Sequence, residues 1–373
     1  MPKARVLVVD DSVVIRRLVT DTLNADPDLE VIGVAANGRI ALEKLGQLKP
    51  DAVVLDVEMP EMDGLETLRQ IRKTHFRLPV IMFSTVTARG FLATLDALAA
   101  GATDYVTKPA NVGGVGEALD RLRRELIPKI KHFCGVKPSV LHEPARPPAA
   151  PAPLPKPLRE PSRIDVVVIG VSTGGPDALV KLMPALPADL PVPILVVQHM
   201  PPVFTKLLAD RLSAMSGIWV KEAEPGEHLS PGGVWIAPGD FHLTVCRQEG
   251  HAIVRTTKGP PENSCRPSVD VLFRSAVEAF GGHVLGVVLT GMGRDGFRGS
   301  ELIRNAGGDV FAQDEATSVI WGMPGFVARG GLANAVLPLQ QIPAEIVKRV
   351  HLGRTPTPSR HFPQRDKEPN LWP

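Results

Sequence analysis

Ile164-Asp165-Val166-Val167-Val168-Ile169-Gly170-Val171-Ser172-Thr173-Gly174-Gly175-Pro176 is the stretch on which the reading of this chain turns. Its apolar run is that of a strand buried on both faces. The run breaks at a turn holding Gly170, Ser172, Gly174 and Gly175, and a helical pattern (Ala178, Leu179, Leu182) follows. Gly-x-Ser-x-Gly between a strand and a helix is the nucleophile-elbow pattern. Its glycines permit a sharp turn that leaves the serine oxygen at the C-terminal end of the strand. The helix N-terminus behind it offers free N–H groups and a positive dipole end, which suit an oxyanion. Two plainer uses fit the same residues: a serine N-cap on an ordinary helix and a phosphate-binding glycine loop.

What else reaches that edge bears on the choice. Strand patterns at Val166–Ile169, Ile194–Val197, Gly233–Ala237 and Val284–Leu289 alternate with helical ones, which predicts a doubly wound parallel sheet. Phe241–Cys246 and His251–Thr256, with Gly250 between them, predict a hairpin attached to that sheet. Of ten histidines, His199 stands out by position, directly after Ile194-Leu195-Val196-Val197-Gln198. Asp295 follows the strand Val284–Leu289 within Gly291-Met292-Gly293-Arg294-Asp295-Gly296. Taken singly, His199 reads as a strand-end residue bonding backbone, and Asp295 as an N-cap for a helix over Phe297–Ala306. Together, a serine, a base and an acid to orient the base fall on one edge of one sheet. A dinucleotide fingerprint wants Gly-x-Gly-x-x-Gly and an acid near the end of the second strand, where this chain has Gln198-His199. The order Ser…His…Asp departs from the α/β-hydrolase order Ser…Asp…His, but triads are defined by geometry and role.

The N-terminal part alternates in the same way. Strands are expected at Val6–Val9, Leu29–Ala35, Ala52–Leu55, Val80–Phe83 and Asp104–Val106, with helices such as Ser12–Leu23 and Leu65–Lys73 between them. The strand ends carry Asp10-Asp11, Asp56, Ser84 and Lys108-Pro109. Converging carboxylates are costly unless a cation or shared proton offsets their repulsion. A hard divalent ion such as Mg²⁺ suits them, and Lys108 can pair with a carboxylate or a phosphoryl group. Solvated loop carboxylates would account for one aspartate, but poorly for acid, acid, hydroxyl and lysine at successive strand ends.

Between the two patterns, Gly135 to Arg163 is rich in proline and alanine and predicts an extended spacer. The expected division is therefore 1–134, a linker over 135–163, 164–352, and a disordered tail over 353–373. A hydrophobic share of 44% and a charged share of 22% are those of a soluble globular protein. The net charge of +2 gives no reason to expect nucleic acid. Cys134, Cys246 and Cys265 have neither paired nor metal-ligand spacing, which suits reduced thiols in the cytoplasm. No signal peptide and no membrane span are expected.

Val8-Val9-Asp10-Asp11-Ser12, Leu55-Asp56-Val57-Glu58-Met59-Pro60, Met62-Asp63-Gly64, Met82-Phe83-Ser84 and Tyr105-Val106-Thr107-Lys108-Pro109 resemble a two-component response-regulator receiver domain. The resemblance implies a flavodoxin-like fold with Asp56 as phospho-acceptor. Asp11, Asp56 and the backbone carbonyl of Glu58 would hold Mg²⁺, with Asp10 helping to position it. Ser84, Tyr105 and Lys108 would form the phosphoryl switch, and Lys108-Pro109 would be a cis bond. Gly170–Pro176, Gln198-His199-Met200, Ala237–His242, Arg266–Asp270, Leu289–Gly296 and Gln313-Asp314-Glu315 resemble the protein-glutamate methylesterase domain.

From about Arg5 to His351 the whole resembles the chemotaxis methylesterase family of response regulators. By that resemblance Ser172, His199 and Asp295 are the triad. The backbone N–H groups of Thr173 and Met292 are candidates for the oxyanion hole, and the ester chemistry needs no cofactor. Methyl-accepting chemoreceptors would be the substrates and a chemotaxis histidine kinase the phosphodonor. Deamidation of receptor glutamines is implied as well. Neither half demands an oligomer, so a monomer is expected. Cys265 stands where the family commonly has histidine, and is expected to leave the triad alone while altering the substrate groove. A same-family hydrolase or a phospho-switched binding module acting outside chemotaxis is the alternative.

Overall fold

The computed structural model describes residues 3–108, 115–136 and 163–354. The Lys108-Pro109 bond, most of the expected linker and residues 355–373 of the tail lie outside them. The cis bond among the described residues is Arg266-Pro267.

The first unit runs β1 (Ala4–Val9), α1 (Val13–Asn24), β2 (Leu29–Ala35), α2 (Gly38–Leu48), β3 (Ala52–Asp56), α3 (Gly64–Thr74), β4 (Val80–Ser84), α4 (Ala88–Ala99), β5 (Asp104–Thr107) and α5 (Val115–Phe133). The parallel sheet has the order β2-β1-β3-β4-β5. The inner strands β3 and β4 are buried along their whole length and apolar up to their last residues, Asp56 and Ser84, because helices cover both faces. Ser12, Asn37, Asp63 and Thr87 each accept a backbone N–H of the helix they precede. These caps start helices right after strand ends, which gathers the polar strand-end residues at one edge.

The second unit runs β6 (Val166–Val171), α6 (Gly175–Leu182), β7 (Ile194–Gln198), α7 (Phe204–Met215), β8 (Trp219–Glu222), β9 (Gly233–Ile236), β10 (His242–Gln248), β11 (His251–Thr257), α8 (Val269–Phe280), β12 (Val284–Val288), α9 (Phe297–Ala306), β13 (Asp309–Gln313), α10 (Met323–Arg329), β14 (Ala335–Leu337) and α11 (Ile342–His351). Seven parallel strands lie in the order β14-β13-β12-β6-β7-β9-β8. The chain winds outward from β6 in both directions. The crevice between β6 and β12 is therefore the topological switch point, where open α/β sheets bind ligands.

Both domains are thus doubly wound parallel sheets. The hairpin differs from expectation: β10 and β11 form their own two-stranded antiparallel sheet. Their apolar face is spent on α8 instead, with Leu243, Val245 and Val254 in one buried cluster with Leu272, Phe273 and Ala276. Ser275 Oγ accepts the Val245 N–H there at 3.1 Å.

The two units pack through α4 and β5 of the first against α6 and α7 of the second. The Phe91 and Phe204 rings lie 4.4 Å apart, Tyr105 is 6.0 Å from Phe204, and both phenylalanines are fully buried. Arg211 Nη1 donates to Asp96 Oδ1 at 2.8 Å on the rim. Among the described residues no helix is long and apolar enough to cross a membrane.

Candidate active site

Register brings the first two predicted residues together. Val171 pairs with Gln198, so Ser172 and His199 leave adjacent strands side by side. The Ser172 backbone is pinned on both sides. Its N–H donates to Thr290 O at 3.0 Å, and its carbonyl accepts from Gly175 N (2.8 Å) and Gln198 Nε2 (3.0 Å). The glycine-borne turn is as expected: Ser172 is not in the left-handed region, and Gly174 carries that conformation, with φ 76°. Gly291 lets the opposite loop close in. A Cβ there would fall 2.8 Å from Ser172 Cβ and 2.4 Å from Met323 Sδ.

Asp295 is 2% exposed and accepts from many groups. Oδ1 takes Asn263 Nδ2 (2.8 Å), Ser268 Oγ (2.9 Å), Asp270 N (3.0 Å) and Gly296 N (3.1 Å). Oδ2 takes Val269 N (2.7 Å) and His199 Nε2 (2.9 Å). The N-cap reading is therefore right in kind and wrong in helix. Asp295 binds the first amides of α8, 25 residues back in the chain, while α9 starts on Gly296 without a side-chain cap. Burial alone would raise its pKa. The bonds from His199 and from the Val269 and Asp270 amides outweigh this and bring it down to about 2. The carboxylate is thus ionised, and His199 Nε2 carries the proton between them.

The other ring nitrogen faces Cys265, with Nδ1 and Sγ 3.6 Å apart. This corrects the expectation that Cys265 leaves the triad alone. The residue beside Arg266-Pro267 is folded back onto the base by the Glu262–Cys265 turn, whose two backbone bonds run both ways. Burial disfavours the imidazolium, but Cys265 and then Asp295 favour it more, lifting His199 to about 10. Among the described residues no hydrogen bond joins the Ser172 hydroxyl to His199; such bonds commonly tighten only with substrate in place. The N–H groups of Thr173 and Met292 donate to no protein acceptor among the described residues, so both are available.

Supporting residues without an assigned role in the sequence reading are Gln198, Thr290, Asn263 and Ser268. Thr290 Oγ1 donates to Thr173 O at 3.0 Å and accepts Ile320 N at 3.0 Å, tying the Ser172 turn to the far side of the crevice. Gln198 and Thr290 carried the signal of polarity at a strand end, whereas Asn263 and Ser268 lie between β11 and α8 and carried none.

In the first unit Lys108 Nζ bridges Asp10 Oδ2 (2.8 Å) and Asp56 Oδ2 (2.7 Å), both nearly fully buried. Burial first, then the Asp10 charge, lift Asp56 to about 6 against the pull of Lys108. Asp10 is raised as well, chiefly by burial. Lys108 is raised because its two carboxylates outweigh its own burial. Carboxylate oxygens of Asp10, Asp11 and Asp56 lie within 4.8 Å of one another, a hard-oxygen set that fits Mg²⁺. The Glu58 N–H donates to Asp56 Oδ1 at 3.3 Å, so the loop wraps the pocket. The Ser84 hydroxyl is turned to Gly90 O (3.0 Å) and Thr85 O (3.2 Å) at the start of α4, not to Asp56. Tyr105 is turned inward against Phe204.

These two edges, on two packed sheets, define a class: a response regulator whose output domain is a hydrolase built on a doubly wound parallel sheet. The CheB methylesterase family matches residues 167–346, and the response regulator receiver domain family matches residues 6–120. A protein-glutamate methylesterase/protein-glutamine glutaminase of Trichodesmium erythraeum is 51% identical over 351 residues, 94% of this chain and 100% of that one. Its counterpart in Nocardioides sp. is 55% identical over 353 residues, 94% and 96% of the two chains. The crystal structure of the Thermotoga maritima CheB methylesterase catalytic domain is 46% identical and covers 50% of this chain and 99% of that one, with a TM-score of 0.49. The chain belongs to the CheB methylesterase family.

Proposed function

We propose that this protein hydrolyses glutamate methyl esters on methyl-accepting chemoreceptors, deamidates certain receptor glutamines, and is switched on by phosphorylation at Asp56. The observation that carries the reading is the buried Asp295–His199 pair set beside Ser172 at the switch point.

In this reading His199 takes the Ser172 proton as the oxygen attacks the γ-carbonyl. Asp295 holds the ring and stabilises its charged form. The Thr173 and Met292 amides receive the developing oxyanion. Methanol leaves, or ammonia from glutamine, and water hydrolyses the acyl-enzyme with His199 again as base. The ester chemistry uses protein groups and water.

In the receiver, Asp11, Asp56 and the Glu58 carbonyl would hold Mg²⁺ with Asp10 beside them. The ion supplies neutralising charge for the incoming phosphoryl group. Lys108 would exchange a carboxylate for the phosphoryl oxygens, drawing Ser84 and Tyr105 after it. Tyr105 and α4 touch α6 and α7, the helices that follow Ser172 and His199. Repacking at this contact is how the receiver would uncover the catalytic edge. We assign residues 1–134 to the receiver, 135–163 to a spacer, 164–352 to the methylesterase domain and 353–373 to a tail. The protein is taken to act as a cytoplasmic monomer with a chemotaxis histidine kinase as phosphodonor.

The test is methanol release from methylated receptor membranes with Mg²⁺, with and without a small-molecule phosphodonor. Wild type is expected to be stimulated, and Asp56→Asn to keep its basal rate without stimulation. Full stimulation of Asp56→Asn would refute the switch, and no release by wild type would refute the substrate.

A pH profile follows from His199. Only the neutral imidazole can accept the Ser172 proton, so kcat/KM should rise with pH through the raised value of the Cys265–His199 pair. Measured with a chelator present, Cys265→Ala should move that limb down toward ordinary imidazole. An unmoved limb would show that Cys265 does not hold the base charged.

A further inference from the structure

We propose that His199 Nδ1 and Cys265 Sγ form a site for a thiophilic divalent cation of the Zn²⁺ class, and that the bound cation withholds the base from Ser172. The separation is the first reason. At 3.6 Å the two atoms are within hydrogen-bond reach for sulfur, and the same spacing suits a shared cation. Two ligands on one tetrahedral Zn²⁺, with bonds of about 2.0–2.1 Å to nitrogen and 2.3 Å to sulfur, stand about 3.5 Å apart.

Orientation is the second. Asp295 Oδ2 accepts the Nε2 N–H, which fixes the ring and leaves Nδ1 as the nitrogen facing Cys265. A carboxylate behind the imidazole is the arrangement that orients zinc-bound histidines. Asp295 also lies within 4.8 Å of both ligand groups. Its oxygens already accept six hydrogen bonds, so it stays the outer partner. Water would fill the remaining positions.

Rigidity and access are the third. Cys265 sits in a turn closed by bonds to Glu262 in both directions, with Asn263 and Ser264 left-handed at φ 53° and 62°. The thiol is only partly buried, and the His199 side chain keeps 13% exposure, so a cation has a way in. The nitrogen–sulfur pair selects against Mg²⁺, which prefers the all-oxygen pocket of Asp10, Asp11 and Asp56. On binding, the proton held between His199 Nδ1 and Cys265 Sγ goes to solvent, which leaves a lone pair on each ligand atom. The sulfur pair forms the metal bond, and no electron is transferred.

Binding is independent of the proposed enzyme reaction, whereas inhibition rests on it, so the two are measured separately. The full chain is titrated with Co²⁺ in excess Mg²⁺, following the thiolate-to-cobalt charge-transfer band, and Zn²⁺ affinity is read by competition with a chromophoric chelator. Wild type should bind one Co²⁺ with the band, and Zn²⁺ should displace it. Cys265→Ser should lose the band and weaken Zn²⁺ by more than the roughly 10–100-fold that a lost outer partner costs. Cys265→His, which restores a nitrogen ligand, should recover Zn²⁺ affinity without the band. A surface pair, His228 and His251, has rings 5.3 Å apart and could take a cation without any thiolate signal. A band that survives Cys265→Ser, or Zn²⁺ affinity unchanged in that variant, would overturn the site. Zn²⁺ should also stop methanol release reversibly in wild type. Tight binding without inhibition would overturn the second clause alone.

Discussion

Replacing Ser172 with alanine is expected to lower methanol release by roughly 10⁴-fold or more, the scale seen when a hydrolase loses its nucleophile. The fold should hardly notice. Every bond that fixes residue 172 runs through its backbone, to Thr290, Gly175 and Gln198, and the hydroxyl leaves no buried partner unpaired. Stability should stay within about 0.5 kcal/mol, and Mg²⁺-dependent phosphorylation of Asp56 should proceed as before. Thermal unfolding and phosphodonor labelling check both. A Ser172→Ala protein that keeps more than about a hundredth of the activity would point to another nucleophile, with Cys265 the nearest thiol to the base.

Asp295→Asn is expected to cost roughly 10⁴-fold in kcat, because the amide leaves the imidazole in the wrong tautomer. Unlike Ser172→Ala it should also destabilise the second domain, by about 3–5 kcal/mol, the usual cost of breaking one side of a buried ion pair. The amide nitrogen would meet donors from Ser268, Asp270, Gly296 and Asn263, or from Val269 and His199, whichever way it turns. The sign with pH separates this from simple damage. The carboxyl is depressed in the folded protein, from 3.8 to about 2. Its contribution is therefore complete above about pH 4 and lost as the pH falls toward 2. Unfolding followed between pH 5 and 2 should show that slope in wild type and lack it in Asp295→Asn. Parallel curves for the two proteins would remove Asp295 from the account of stability.

The alternation of apolar runs with helical patterns was enough to read the two sheets. Strands β6, β7, β9 and β12 of the second sheet and all five receiver strands stand where the sequence placed them, to within a residue or two. The strands it missed are β8, β13 and β14. Trp219–Glu222 and Ala335–Leu337 are short edge strands with mixed exposure, and Asp309–Gln313 has an apolar centre of only three residues. None of these carries enough apolar length to stand out from a loop. Of the candidate site, Ser172 and His199 directly follow strands and Asp295 lies in the loop after one, so local pattern placed all three at one edge. Asp295 binding the start of α8, and Cys265 folding onto His199, join residues 25 and 66 positions apart. No local periodicity encodes such pairs. The hairpin was read correctly as a hairpin, but which surface its apolar face would cover depended on α8.

The Phe91–Phe204 contact sets a scale for the energy of separating the two domains. Full burial of a phenylalanine is worth about 1.5–3 kcal/mol, so wetting both rings costs at most about 3–6 kcal/mol. At 1.4 kcal/mol per tenfold, that is a resting bias of up to roughly 10²–10⁴ toward the closed arrangement. If the proposed switch holds, basal turnover reports the rare open molecules, and each 1.4 kcal/mol that phosphorylation of Asp56 sets against this bias should raise their number about tenfold.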